Sequence, residues 1–204
     1  MYGLPPSTER HSRINVSVLN RQLGLKTKQR ADIVRDIARV EIVAVVSTYT
    51  IPALRMGLDV KEIYVVEIGL KRKDYGKDSI LLIAENIPQR MLFVLCHDGE
   101  ACFAICHGGR LFVSAWQGAG DIALKIDGND MDMVWQNFVT QVGNITIEEG
   151  NTLDRQIEID TRRANLRSQI DRLRRKSMKE QQPRRKVDIH NQMLTLKEEL
   201  DKLP

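Results

Sequence analysis

Two apolar stripes near the C-terminus, separated by a proline, constrain this chain more than any other feature. Leu166, Ile170 and Leu173 are spaced four then three residues apart, and Ile189, Met193, Leu196, Leu200 and Leu203 are spaced four, three, four and three. That spacing lays one coiled-coil seam along each of two helices. Pro183 breaks the run, because proline removes a helical donor and clashes with the preceding turn. Neither stripe is long enough to hold a helix alone in water. The two are therefore expected to fold back on each other as an antiparallel hairpin over residues 149–204, attached to a separate domain over residues 1–148. No period of the solenoid kind repeats along the chain.

The formal charge of +4 is unremarkable, but its distribution is not. From Arg162 to Lys186 there are eleven basic and two acidic residues, a net +9, which leaves −5 for the remainder. The sequence thus reads as a mildly acidic body carrying a basic arm, unlike an evenly solubilised surface. The 42% apolar content is enough for a buried core. No apolar run reaches the ~18 residues of a membrane-spanning helix. Met1–Thr8 lacks the basic and then apolar regions of a signal peptide. A cytoplasmic location, without membrane attachment, is the expectation. The odd count of three cysteines argues against a disulfide framework.

The body reads as α+β or α/β: a mixed sheet with an antiparallel meander, flanked by helices. Residues 1–25 are polar and irregular. Thr27 is a suitable N-cap for a helix to about Arg39. Val40–Val46 and Glu62–Leu70 are apolar, β-branched runs that suit buried strands. A short amphipathic helix over Ser79–Ile87 stops at Pro88. Strands near 91–96, 101–107 and 110–116 are joined by the turn signals Asp98-Gly99 and Gly108-Gly109. Asp130 can cap a helix that turns Met131, Val134, Trp135, Phe138, Val139 and Val142 inward and ends at Gly143.

Three groups of residues invite a chemical reading. Cys96, His97, Cys102, Cys106 and His107 look like metal ligands, but Cys102 and Cys106 lie about 13 Å apart along a strand, and adjacent Cys96 and His97 point to opposite faces. Zinc needs its ligands gathered on one point, so neither a metal nor a cofactor is expected. Glu67 on an apolar strand face, with Lys71, Asp59 and Glu41, suggests the carboxylates and lysine of a metal-dependent nuclease. Glu67 and Lys71 are four residues apart, however, where such sites use two. The bland alternative is an edge-strand glutamate or one paired with a nearby cation. No nucleophile elbow, dinucleotide fingerprint or P-loop is present.

The third group is the basic arm. Arg174, Arg175, Lys176, Lys179, Arg184, Arg185 and Lys186 gather around the expected bend. Such a cluster fits a nucleic-acid backbone or an acidic protein surface, against the alternative of an ordinary solvated coiled-coil exterior. Residues 151–204 contain no Phe, Tyr or Trp, so stacking on bases is not expected from this arm.

Several stretches together resemble a known family: Gly3-Leu4-Pro5-Pro6-Ser7-Thr8-Glu9, the strand Glu62–Lys71, Ile87-Pro88 before Leu92-Phe93-Val94-Leu95, and Lys179-Glu180-Gln181 with Lys186-Val187, Asn191 and Leu196. The chain resembles the bacterial and archaeal domain of unknown function 4391 family over nearly its whole length. It departs from the family pattern at Ile14–Val18, where members carry a lysine-rich stretch. The resemblance implies an accessory protein of restriction or phage-defence gene clusters, working beside a helicase or DNA methyltransferase.

The expected function is a non-enzymatic accessory subunit with a protein partner, DNA, or both. The alternatives are a nuclease centred on Glu67 with Asp59 and Lys71, and a dimerisation module in which Ile189, Met193, Leu196 and Leu200 pair between chains.

Overall fold

The computed structural model describes residues 1–203, apart from the side chains of Asn20 and Gln22; Pro204, the last residue of the expected hairpin, lies outside the described residues. The chain divides into two units, Met1–Ile145 and Thr146–Pro204.

In the first unit a short 3-10 turn, Pro6–Thr8, leads into β1 (Glu9–Ile14), α1 (Val16–Gln22), α2 (Thr27–Asp36) and β2 (Ile37–Ser47). The sequence reads as irregular over residues 1–25, and the structure corrects this. β1 is an edge strand whose side chains are nearly all exposed, so it carries no apolar alternation. Its strand character comes from pairing with β2, Arg13 opposite Glu41 and Ile14 opposite Val40. Asn15 caps α1 by accepting from the Ser17 N–H at 2.9 Å. The cap of α2 is Lys26 instead of Thr27, and its N–H donates to the Gln29 side chain at 2.9 Å. α2 ends at Asp36, short of the expected Arg39, because β3 claims the next residues: Ile37 pairs with Leu70 and Arg39 with Gly69, with Ala38 bulged between them.

β3 (Glu62–Leu70), α3 (Lys77–Asn86) and β4 (Arg90–His97) form a parallel crossover, and β5 (Glu100–His107), β6 (Arg110–Val113) and β7 (Gln117–Gly118) follow. The sheet order is β1-β2-β3-β4-β5-β6, with β7 on β5. The expected meander is present. β6 stops at Val113, not Trp116, because the chain leaves the ladder and returns as β7 to pair with Glu100 and Ala101. Asp98 and Gly99 have φ of 46° and 80°, and Gly108 and Gly109 have 56° and 72°. These left-handed pairs are what two-residue hairpin turns require.

Each sheet face has its own cover. Val66, Ile68, Phe93, Leu95 and Ala104 pack with Leu19 and Leu23 of α1, Ile33 of α2 and Ile80 and Ile83 of α3. On the other face lies α4 (Met131–Gly143), whose Met131, Val134, Trp135, Phe138, Val139 and Val142 are all buried, as the sequence predicts. Asp130 caps it by accepting from the Met133 N–H at 2.9 Å.

The second unit is the helical hairpin. α5 (Leu153–Lys179) is capped by Thr152, and α6 (Pro183–Asp201) has Pro183 as its first residue, a position where the missing N–H costs nothing. The two helices pack together. Arg162 of α5 pairs with Glu199 of α6, which fixes an antiparallel register. Leu166 and Ile189 are 2% and 4% exposed. Ile170, Leu173, Met193, Leu196, Leu200 and Leu203 are partly buried. Among the described residues no helix is long and apolar enough to cross a membrane.

Candidate functional site

The hairpin places seven basic side chains at its closed end. Arg174, Arg175, Lys176 and Lys179 occupy the last turns of α5, and Arg184, Arg185 and Lys186 the first turns of α6. All seven are exposed. Among the described residues none of them forms an ion pair, while Arg155, Arg162 and Arg163 nearer the open end all do. The Glu180 carboxylate accepts from the Gln181 and Gln182 N–H groups at 3.1 and 3.0 Å. α6 has no acid in its first turn and no side-chain cap. The positive end of its dipole adds to the charge of Arg184, Arg185 and Lys186, and the Glu180 carboxylate at the N-cap Gln182 offsets part of it.

The division into units changes the charge map. Residues 146–204 hold 14 basic and 11 acidic residues, a net +3, while residues 1–145 hold 17 and 16, a net +1. The sheet domain is not acidic, contrary to the sequence expectation. The opposing charge belongs to the open end of the hairpin, where Glu148, Glu149, Asp154, Glu158, Asp160, Glu198, Glu199 and Asp201 lie. The hairpin itself is polarised, basic at its bend and acidic at its other end.

The sheet domain holds a second candidate, a cleft of about 420 Å³ at the carboxyl ends of β3 and β4. In sheets with parallel strands, ligands commonly bind beyond the carboxyl ends. Glu67 of β3 lines it and is only 6% exposed. β3 lies between β2 and β4, so Glu67 is not an edge residue; it is a buried carboxylate with partners. Arg39 of β2 donates to one of its oxygens, and the Tyr2 hydroxyl donates to the other at 2.5 Å. Gly69 makes the first contact possible, since a Cβ there would sit 2.6 Å from Arg39 Cγ. Burial, then the hydrogen bond to Glu67, raises the Tyr2 phenol well above its ordinary range. Burial, then the Glu67 charge, pushes the Cys96 thiol up to about 11, which keeps it protonated and weakly nucleophilic.

The other nuclease-type residues do not join Glu67. Asp59 precedes β3 at its far end and lines a different pocket. Lys71 follows β3, and its ammonium donates to Val34 O of α2 at 2.6 Å. Glu41 does stand opposite Glu67 on β2, but its carboxylate is engaged by His11 at 3.3 Å and Arg13 at 3.9 Å. The cysteines and histidines also separate. Cys102 is fully buried in the core. His97 Nδ1 lies 3.2 Å from Leu70 O, and His107 Nδ1 accepts from the Trp135 indole at 3.1 Å. Among the described residues no three such side chains could hold a metal ion.

Sequence reasoning singles out Glu67 but misses its partners, Tyr2 and Arg39, and two structural carboxylates. Asp36, fully buried, binds Arg35 Nε at 2.9 Å, Arg72 Nη2 at 3.0 Å and the Gly76 N–H at 3.0 Å. Asp132 accepts from the backbone N–H groups of Leu58, Asp59 and Val60 at 2.6, 3.2 and 2.7 Å. Besides Glu67 itself, an acid in an apolar strand, the sequence signal for this site is a glycine, Gly69, in the same strand.

Comparison with known proteins places the family and nothing finer. No curated protein and no solved structure matches the chain. The profile of a domain of unknown function, DUF4391, matches residues 2–200, so both the sheet domain and the hairpin fall within it, and the chain belongs to the DUF4391 family.

Proposed function

We propose that this protein is a non-enzymatic accessory subunit that binds nucleic acid through the tip of its C-terminal hairpin. The observation that carries this reading is the set of seven exposed cations at the bend, unpaired among the described residues. Charge that only solubilises a helix is usually interspersed with acids, and here eight of the hairpin's eleven acids lie toward the opposite end, leaving Asp171, Glu180 and Asp188 toward the bend. A compact cationic tip attracts phosphate oxygens and releases their counterions, giving affinity with a steep salt dependence. No Phe, Tyr or Trp is available in the hairpin, so contact is to the backbone and not to stacked bases.

The proposed setting is a DNA-processing or phage-defence complex containing a helicase or methyltransferase, as the family resemblance implies. Pairing between chains through Ile189, Met193, Leu196 and Leu200 is less favoured, because those side chains already pack within the hairpin. Retention on a short DNA duplex at increasing salt tests the reading. The slope of log K against log salt should be about −4 to −6 if five or six phosphates are contacted. Absence of retention at low salt, or a slope near zero, would contradict it.

A further inference from the structure

The loop between β2 and β3 exposes what a folded domain usually hides. Leu58 is 95% exposed, Tyr49 86% and Met56 63%, the three highest values among the large apolar side chains described in the sheet domain. Apolar residues scattered singly over a surface are ordinary, but three in one loop form a patch, and such patches mark contact surfaces. The loop is not a loose end. The Leu58, Asp59 and Val60 N–H groups all donate to the Asp132 carboxylate. Gly57 leaves room for that carboxylate, since a Cβ there would sit 2.5 Å from Asp132 Oδ1. The Arg55 N–H donates to Asn129 O at 3.0 Å, and the Arg55 carbonyl accepts from the Met131 N–H at 3.1 Å. Buried Thr50 accepts from the Ser47 N–H and donates to Val45 O, both at 2.9 Å. The backbone is fixed with these side chains outward, so a contact made here needs little ordering.

Beside the patch lies a recess of about 640 Å³ whose walls include Tyr49, Met56, Asp59 and Lys61. Leu58, between Met56 and Asp59 in the chain, stands out as a knob next to this hole. A surface with both a knob and a hole fits a second copy of itself, because a two-fold axis satisfies both at once. The charges follow the same rule. Asp59 and Lys61 are exposed on either side of buried Val60, and among the described residues neither side chain forms an ion pair. Glu62 and Arg90 are already engaged, by the Tyr64 hydroxyl at 2.7 Å and over the Trp135 ring at 5.3 Å. With two copies antiparallel about an axis over Val60, Asp59 of each faces Lys61 of the other. The two free charges cancel within one chain, so the patch has no bias toward a nucleic acid or a uniformly charged protein.

We propose that this loop is the contact of a two-fold homodimer, in which Leu58 of each protomer enters the recess of its partner and Asp59 of each pairs with Lys61 of the other. This goes beyond the nucleic-acid reading and does not depend on it. A pair carries two basic tips, one on each chain.

The test is sedimentation velocity of the full chain, free of nucleic acid. From about 1 to about 100 μM it should show a monomer–dimer equilibrium. Leu58→Glu should raise the dissociation constant by more than about thirtyfold, as expected for loss of a central anchor. Asp59→Lys and Lys61→Asp each place like charges across the axis, and each variant alone should be monomeric over that range. Mixed in equal amounts, the two should recover the dimer, because one then presents two cations to the other's two anions. Recovery also shows that both variants are folded. A parent that stays monomeric, a dimer that survives Leu58→Glu and both charge variants, or charge variants that fail to associate when mixed would overturn the proposal.

Discussion

The Arg39 guanidinium lies over Gly69 and pairs with the Glu67 carboxylate on the neighbouring strand. This one contact explains how an acid is tolerated in the middle of a sheet. An ionised carboxylate at that depth needs both a counter-charge and hydrogen bonds, and Arg39 and Tyr2 supply them. Arg39→Ala should therefore destabilise the sheet domain by about 2–3 kcal/mol, because it leaves the carboxylate without its cation. Replacing both residues by methionine should recover most of that loss. Urea unfolding of the two variants checks this, and equal loss in both would contradict it.

The buried Asp36 predicts an acid limb. The Arg35 guanidinium, helped by the Gly76 N–H and the Arg72 charge, outweighs burial and holds its carboxyl well below the usual carboxylate range. A carboxyl depressed in the folded state stabilises above its unfolded pKa and loses that contribution as pH falls through its folded value. Stability should therefore decline as pH drops below about 4, the unfolded aspartate value. Asp36→Asn should be less stable at neutral pH by about 2 kcal/mol, and should lack this part of the acid decline. Unfolding free energies measured from pH 7 to pH 2 decide it.

Asp132 holds a loop by its backbone. Three consecutive N–H groups, those of Leu58, Asp59 and Val60, share its carboxylate. Asp132→Ala should release them at a cost of about 2 kcal/mol. Amide hydrogen exchange at Leu58 and Val60 should accelerate while the β3–β4 ladder keeps its protection. Uniform acceleration across the sheet would show that Asp132 supports the core instead of the loop.

The seam of the hairpin should behave as a small core. Leu166→Ala and Ile189→Ala each remove a buried side chain and should cost about 2–4 kcal/mol. Exchange protection within α5 and α6 is the readout. Substitution of Val187, which is 58% exposed on the same helix as Ile189, should leave that protection unchanged.

What the sequence discloses follows from how local each signal is. The α4 face is legible because a cap and a 3.6-residue period sit close together, although the left-handed residue that ends the helix is Asn144 and Gly143 stays helical. The hairpin is legible because its seams and Pro183 are local too. β1 is hidden because Glu9-Arg10-His11-Ser12-Arg13 carries no apolar alternation and becomes a strand only through β2. The end of α2 is misread because Ile33 and Ile37 keep helical spacing, although Ile37 belongs to the sheet. Glu67 stands out as an acid in an apolar strand, but its partner Tyr2 is 65 residues away, and no local pattern connects the two. The basic tip is a matter of charge, which composition records directly; whether it is free or paired depends on the fold.

The most direct test of the central claim is duplex DNA retention by the full chain and by a variant with Arg175, Lys176, Arg184, Arg185 and Lys186 changed to Glu. Binding through the tip predicts retention by the parent at about 50 mM salt, its loss by about 200 mM, and no retention by the variant at either. Retention of the variant equal to that of the parent would contradict the account.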